Sequence, residues 1–131
     1  MNKTTEFSFV LKPSKIGGVG VFAIHDIDAN VLLTLVADDY KSRALHQNDI
    51  PDDLIMYCVA KEDDMWSCPS SFNRMEIAWH LNHSDDPNAK RTGKGEFYSA
   101  KKINKGDEIT IDYNSLGEPE DKKEDFYKKT L

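Results

Sequence analysis

The sequence predicts a mostly β domain with two short helical stretches. Its β-prone runs are short and spread over most of the chain, and most gaps between them hold turn-forming chemistry. The composition, 39% hydrophobic and 31% charged, belongs to an ordinary folded domain.

Phe7 and Phe9 alternate with polar neighbours, so the chain opens with strand periodicity. Val19-Gly20-Val21-Phe22-Ala23, Val31 to Val36, Met56 to Val59, Phe97 to Ala100 and Glu108 to Ile111 follow as strand candidates. Gly17-Gly18 favours a turn through positive φ; Asp28-Ala29-Asn30, Pro51-Asp52-Asp53, Asp85-Asp86-Pro87-Asn88 and Asn104-Lys105-Gly106-Asp107 do so through fixed φ, positive φ or Asx bonds. Met75 to Leu81 reads as a short helix with Met75, Ala78, Trp79 and Leu81 near one face. Glu118 to Lys129 reads as a second, because Pro119-Glu120-Asp121 has the composition of a helix start.

A chain of 131 residues fits one domain with one ordinary core. Its longest apolar stretch, Val31 to Ala37, is interrupted by Thr34 and is far shorter than the roughly 20 residues that cross a bilayer, so no membrane partner is expected. The N-terminal residues lack the apolar block of a secretion signal, which predicts an intracellular protein whose Cys58 and Cys68 stay reduced. A formal charge of −6 argues against a direct nucleic-acid partner. Asp38 to Asp64 is acid-rich and Lys90 to Lys105 basic; such runs read as solvated faces, and the acidic one also as a docking surface.

Three stations carry chemistry. In Ser14-Lys15-Ile16-Gly17-Gly18-Val19-Gly20-Val21-Phe22-Ala23 the glycines allow close backbone approach to a ligand, although a plain hairpin has the same look. Trp79-His80-Leu81-Asn82-His83-Ser84-Asp85-Asp86-Pro87-Asn88 is dense in side-chain donors and acceptors. No further ligands at suitable spacing accompany His80 and His83, so no metal is expected, while Asn82 and Ser84 also suit turn capping. Asn104-Lys105-Gly106-Asp107-Glu108-Ile109-Thr110-Ile111-Asp112-Tyr113 places a turn before a strand that ends on an acid and a phenol, and alone Tyr113 would read as packing.

Taken in order, Gly-x-Gly-Val-Phe-Ala, Asn-His-Ser-x-x-Pro-Asn and Gly-Asp-Glu-Ile-Thr-x-Asp-Tyr resemble the successive motifs of SET-domain protein-lysine methyltransferases, and the brevity of the chain resembles the minimal stand-alone viral and bacterial members. The resemblance implies one domain over residues 1–131, with core motifs over 12–113 and a closing segment over 114–131. It further implies a β-clip-like fold of several small sheets with short helices, in which the C-terminal part threads an earlier loop as a pseudoknot.

The resemblance also implies S-adenosylmethionine as cofactor, held by Gly18, Val19, Gly20, Asn82 and His83, with Phe126 or Tyr127 covering the adenine. Tyr113 matches the catalytic tyrosine, with Tyr57 as a further channel residue. Ile111 stands two before Tyr113, where the family often has Phe or Tyr and tunes the number of methyls; Tyr98 is another candidate for the channel. Trp79 replaces a common arginine, Asp85 a common cysteine, and the zinc segment that follows many family members is missing. A basic protein or peptide, such as a histone tail, is the expected partner for the acidic segment. A homodimer would complete the groove, and a β-clip module that binds a basic peptide without turnover is the alternative.

Overall fold

The computed structural model describes residues 2–128. In chain order its strands are β1 (Phe9–Pro13), β2 (Val19–Ala23), β3 (Leu32–Leu33), β4 (Arg43–His46), β5 (Val59–Ala60), β6 (Met65–Cys68), β7 (Asn82–His83), β8 (Ala89–Arg91), β9 (Phe97–Ser99) and β10 (Glu108–Ile111). One short α-helix, α1 (Asp52–Ile55), and several 3-10 turns complete the mostly β architecture.

Three small sheets result, ordered β1-β2-β10-β7, β3-β9-β8 and β4-β6-β5. The first positions the site. Strand β10 lies between two partners far from it in sequence: antiparallel to β2, with Ile109 opposite Val21, and parallel to β7, with Thr110 opposite Asn82 and Ile111 opposite His83. Val21, Ile109 and Ile111 turn inward to a core that also holds Leu33, Leu35, Leu81, Phe97 and Ile103. A second, smaller core of Ile50, Cys58 and Cys68 lies under the β4-β6-β5 sheet.

The Val31 to Val36 run keeps its alternation, with Val31, Leu33 and Leu35 buried, yet only Leu32–Leu33 pairs as a strand. The Leu35 N–H turns back to the Leu33 carbonyl at 2.9 Å and ends the ladder. Met75 to Leu81 contracts to a 3-10 turn, Ile77–His80, because its start is tied elsewhere: the Glu76 carboxylate accepts from the Ala37 N–H at 2.7 Å and the Ala78 N–H donates to the Leu35 carbonyl at 3.1 Å.

The helix expected over Glu118 to Lys129 does not form over its described part. A 3-10 turn covers only Glu120–Lys122, after which Lys123 is extended at φ −70, ψ 142. Tertiary bonds override the local propensity. The Asn114 amide takes the Tyr127 carbonyl at 2.8 Å, the Lys123 ammonium takes the Asn114 side-chain oxygen at 2.9 Å, and Glu118 reaches both the Ala60 N–H and the Tyr127 hydroxyl. Lys129 lies outside the described residues.

Candidate active site

The β1–β2 hairpin turns through Gly18 at φ +52, a left-handed conformation that favours glycine. Beside Gly17 and Gly18 there is open space: a β-carbon built on either meets nothing within 4 Å. Gly20 is different. A β-carbon there would stand 2.2 Å from Glu108 Oε2 and 3.1 Å from the Ser14 β-carbon, so this glycine keeps a notch open for a neighbouring carboxylate.

Glu108 fills that notch. Its Oε1 accepts from the Ser14 hydroxyl at 2.7 Å and its Oε2 from the Asn82 amide at 2.8 Å. The same Asn82 nitrogen lies 3.2 Å from the Gly17 carbonyl and 3.3 Å from the Val19 carbonyl. One side chain therefore binds the glycine turn, the Asn-His strand and the strand that leads to Tyr113. Asn88 does similar work further along, donating to the Glu108 carbonyl at 2.7 Å and accepting from the Thr110 N–H at 2.9 Å, as a strand neighbour would.

His83 is buried at 8% exposure. Its Nδ1 accepts from the Tyr113 backbone N–H at 3.0 Å, which leaves Nε2 as the protonated nitrogen, donating to Asp85 Oδ1 at 2.8 Å. This network assigns the tautomer and orients the ring. Asp85 thus has a defined partner.

The Tyr113 hydroxyl donates to the Leu81 carbonyl at 2.6 Å. Burial, with smaller contributions from the Glu108, Glu124 and Glu118 carboxylates, pushes its phenol up to about 12. Tyr127, buried at 6% exposure, sets its ring 5.2 Å from that of Tyr113 at an interplanar angle of 81° and 5.7 Å from that of His83. Burial and then the hydrogen bond to Glu118 raise the Tyr127 phenol as well. Phe126 packs its edge on the same group, 6.0 Å from His83 and 6.1 Å from Tyr113, but stays 60% exposed.

Hydrogen bonds join Asn82 to Gly17 and Val19, on either side of Gly18, and ring contacts join His83, Tyr113, Phe126 and Tyr127; Gly20 takes part only through the notch that Glu108 fills. Tyr57 sits apart, with its ring 5.7 Å from that of His80, the residue before Leu81. The His80 Nδ1 is buried without a hydrogen-bond partner, and burial lowers the ring's pKa. Ile111 is buried in the main core at 3% exposure, and Tyr98 belongs to β9, opposite Leu32 and Lys90. The sequence reading missed Glu108 and Glu118 as organising carboxylates; a lone acid in an acid-rich sequence offers no spacing signal for either. Among the described residues no group of three or more His, Cys, Asp or Glu could hold a metal ion.

The family model for the SET domain matches residues 18–114. No curated protein matches. The chain is similar to a solved structure of a Plasmodium falciparum candidate histone methyltransferase, with 23% identity and a TM-score of 0.53, over 82% of this chain and 93% of that one. That likeness concerns the fold.

Proposed function

The chain belongs to the SET-domain family, and on that premise we propose that it is an S-adenosylmethionine-dependent lysine methyltransferase acting on a basic protein. The observation that carries this reading is the Asn82 amide bridging the glycine turn and Glu108, on the strand that delivers Tyr113.

The residues present fit the cofactor. Open space beside Gly17 and Gly18 admits a ligand against the backbone, and the exposed Phe126 ring next to His83 offers an aromatic face for a purine. Gly18, Val19, Gly20, Asn82 and His83 would hold it, with the Asn82 side chain fixing the loop. S-adenosylmethionine, when bound, supplies an electrophilic methyl group on a sulfonium.

Tyr113 acts by position. Its proton is committed to the Leu81 carbonyl, so the oxygen lone pairs remain to accept from a substrate amine and aim it. A phenol raised to about 12 is not a base at neutral pH. Lysine ordinarily titrates at about 10.4, so removing its proton near neutrality costs on the order of 4 kcal/mol, and an apolar channel that disfavours ammonium offsets part of that. The Tyr57 ring touches the site only through His80, the residue before Leu81, whose carbonyl holds the Tyr113 hydroxyl.

The acidic residues Asp49, Asp52, Asp53, Glu62 and Asp63 are exposed around α1 and the β5–β6 hairpin, the charge that suits a basic tail such as a histone's. Ile111 brings no hydroxyl to the channel, which favours di- or trimethylation. A second copy of the chain would complete the substrate groove.

Calorimetry with S-adenosylmethionine, followed by mass spectrometry of a basic-peptide mixture, tests the reading. Binding together with methyl mass gains on lysine is expected. Binding without mass gain would replace the enzyme with a peptide-binding module, and no binding would overturn the cofactor.

A further inference from the structure

Strands β5 and β6 pair antiparallel, with Val59 opposite Ser67 and Ala60 opposite Trp66. Continuing that register outward by one residue sets Cys58 opposite Cys68. The Lys61 N–H meets the Met65 carbonyl at 2.8 Å, which marks a hydrogen-bonded position. Alternation along the ladder then makes the cysteines a non-hydrogen-bonded pair, the kind whose side chains stand closest. Cys58 agrees, since its N–H turns away to the Ile55 carbonyl at 3.0 Å.

Such pairs have α-carbons about 4.5 Å apart, just inside the window of about 4.4–6.8 Å that a disulfide spans. Both thiols are free and buried; the Cys58 thiol donates to the Leu54 carbonyl and the Cys68 thiol to the Trp66 carbonyl, each at 3.6 Å, and the neighbouring Cys68 thiol helps to raise the Cys58 pKa. With Ile50 they form the fully buried part of the second core.

We propose that Cys58 and Cys68 are a dithiol switch that closes to a disulfide and staples β5 to β6 beside Tyr57. The oxidant is a low-molecular-weight disulfide such as glutathione disulfide. One cysteine, as thiolate, attacks it and expels one glutathione thiolate. The other then attacks the mixed disulfide and expels the second. The two protein protons end on two glutathione thiols, and two electrons pass from the protein to glutathione disulfide.

Burial sets the rate. It pushes the Cys58 thiol up to about 12, with the neighbouring Cys68 thiol adding to the effect, so little thiolate exists near neutrality. Strand β5 is an edge strand of only two residues over a small core, and brief local opening exposes the pair. The product constrains the unfolded chain and fixes the backbone next to Tyr57.

The experiment refolds the full chain in glutathione buffers of stepped reduced-to-oxidised ratio, which removes the kinetic barrier, then quenches with acid and alkylates free thiols. Intact mass and peptide mapping should show a form two hydrogens lighter, unalkylated at both cysteines and linked Cys58 to Cys68, with a higher urea midpoint than the reduced form. Cys58→Ser and, separately, Cys68→Ala should carry at most one glutathione or one alkyl group and show no midpoint shift with redox ratio. Two alkylated thiols at every ratio, glutathione adducts without the internal link, or an oxidised form less stable than the reduced one would each overturn the proposal. None of these readouts depends on methyl transfer.

Discussion

Asn82 and Glu108 meet through a 2.8 Å hydrogen bond between two strands that are parallel neighbours in one sheet. Replacing Glu108 by Ala removes the acceptor shared by Asn82 and Ser14, and a hydrogen bond to a charged group contributes about 1.5–3 kcal/mol. Affinity for S-adenosylmethionine is expected to fall about tenfold or more, with a smaller change in kcat at saturation. Calorimetry and steady-state kinetics measure the two separately; unchanged affinity would refute the role of the network.

Tyr113→Phe deletes the hydroxyl that donates to Leu81 while keeping the ring packed on His83 and Tyr127. Turnover should fall by about a hundredfold or more with the fold retained. Circular dichroism beside single-turnover methylation checks both halves. Full activity in this variant would remove Tyr113 from the mechanism.

The Tyr113 phenol is raised to about 12, above its value of about 10 in an unfolded chain, so the folded state favours the protonated form. Its contribution to stability is complete below about pH 10 and is lost as pH rises from there through about 12. Tyr127 shifts in the same direction. Urea midpoints between about pH 8 and 11, chosen to reach into this window, should decline on the alkaline side, and Tyr113→Phe should flatten the decline. An equal slope in the variant would contradict this.

Ile111→Tyr tests product multiplicity against packing. The residue is 3% exposed in the main core, so a tyrosine must displace packed neighbours at a cost of about 1–3 kcal/mol. Lower stability together with a product distribution moved toward monomethyl-lysine is expected. Thermal melts and time-resolved mass spectrometry decide it: a stable variant with wild-type products would show that this position does not govern multiplicity.

Asp63 and Asp64 both adopt positive φ, 59 and 60, in the loop between β5 and β6. That left-handed region favours glycine or asparagine. Asp64 also pairs with Lys122 at 3.0 Å, so Asp63 is the better site to change. Asp63→Gly should stabilise the protein by about 0.5–1 kcal/mol, the relieved strain exceeding the added chain entropy. A lower urea midpoint would refute it.

Much of the main sheet was legible because its strands are apolar runs bounded by glycine or Asx turns: Val19–Ala23 and Glu108–Ile111 form as expected. Asn82–His83 forms strand β7 without any β propensity, since a parallel partner supplies its order, and Met65–Cys68 forms only through its pairing with two neighbours. The closing segment misled for the opposite reason. Its local composition favours a helix, while Asn114, Ala60 and Glu118 hold it in another shape. The site's residues were readable as motifs, but the carboxylate that joins them was not, because Glu108 acts through a notch left by a missing β-carbon at Gly20.

Strand β10 lies between β2 and β7 in its sheet yet follows both in the sequence. During synthesis β2 and β7 leave the ribosome before Glu108–Ile111, the segment that pairs with both of their facing edges. Completion of this sheet therefore waits for β10. Until then two strand edges stand open to other chains, which makes the interval before β10 arrives the period of greatest need for chaperones.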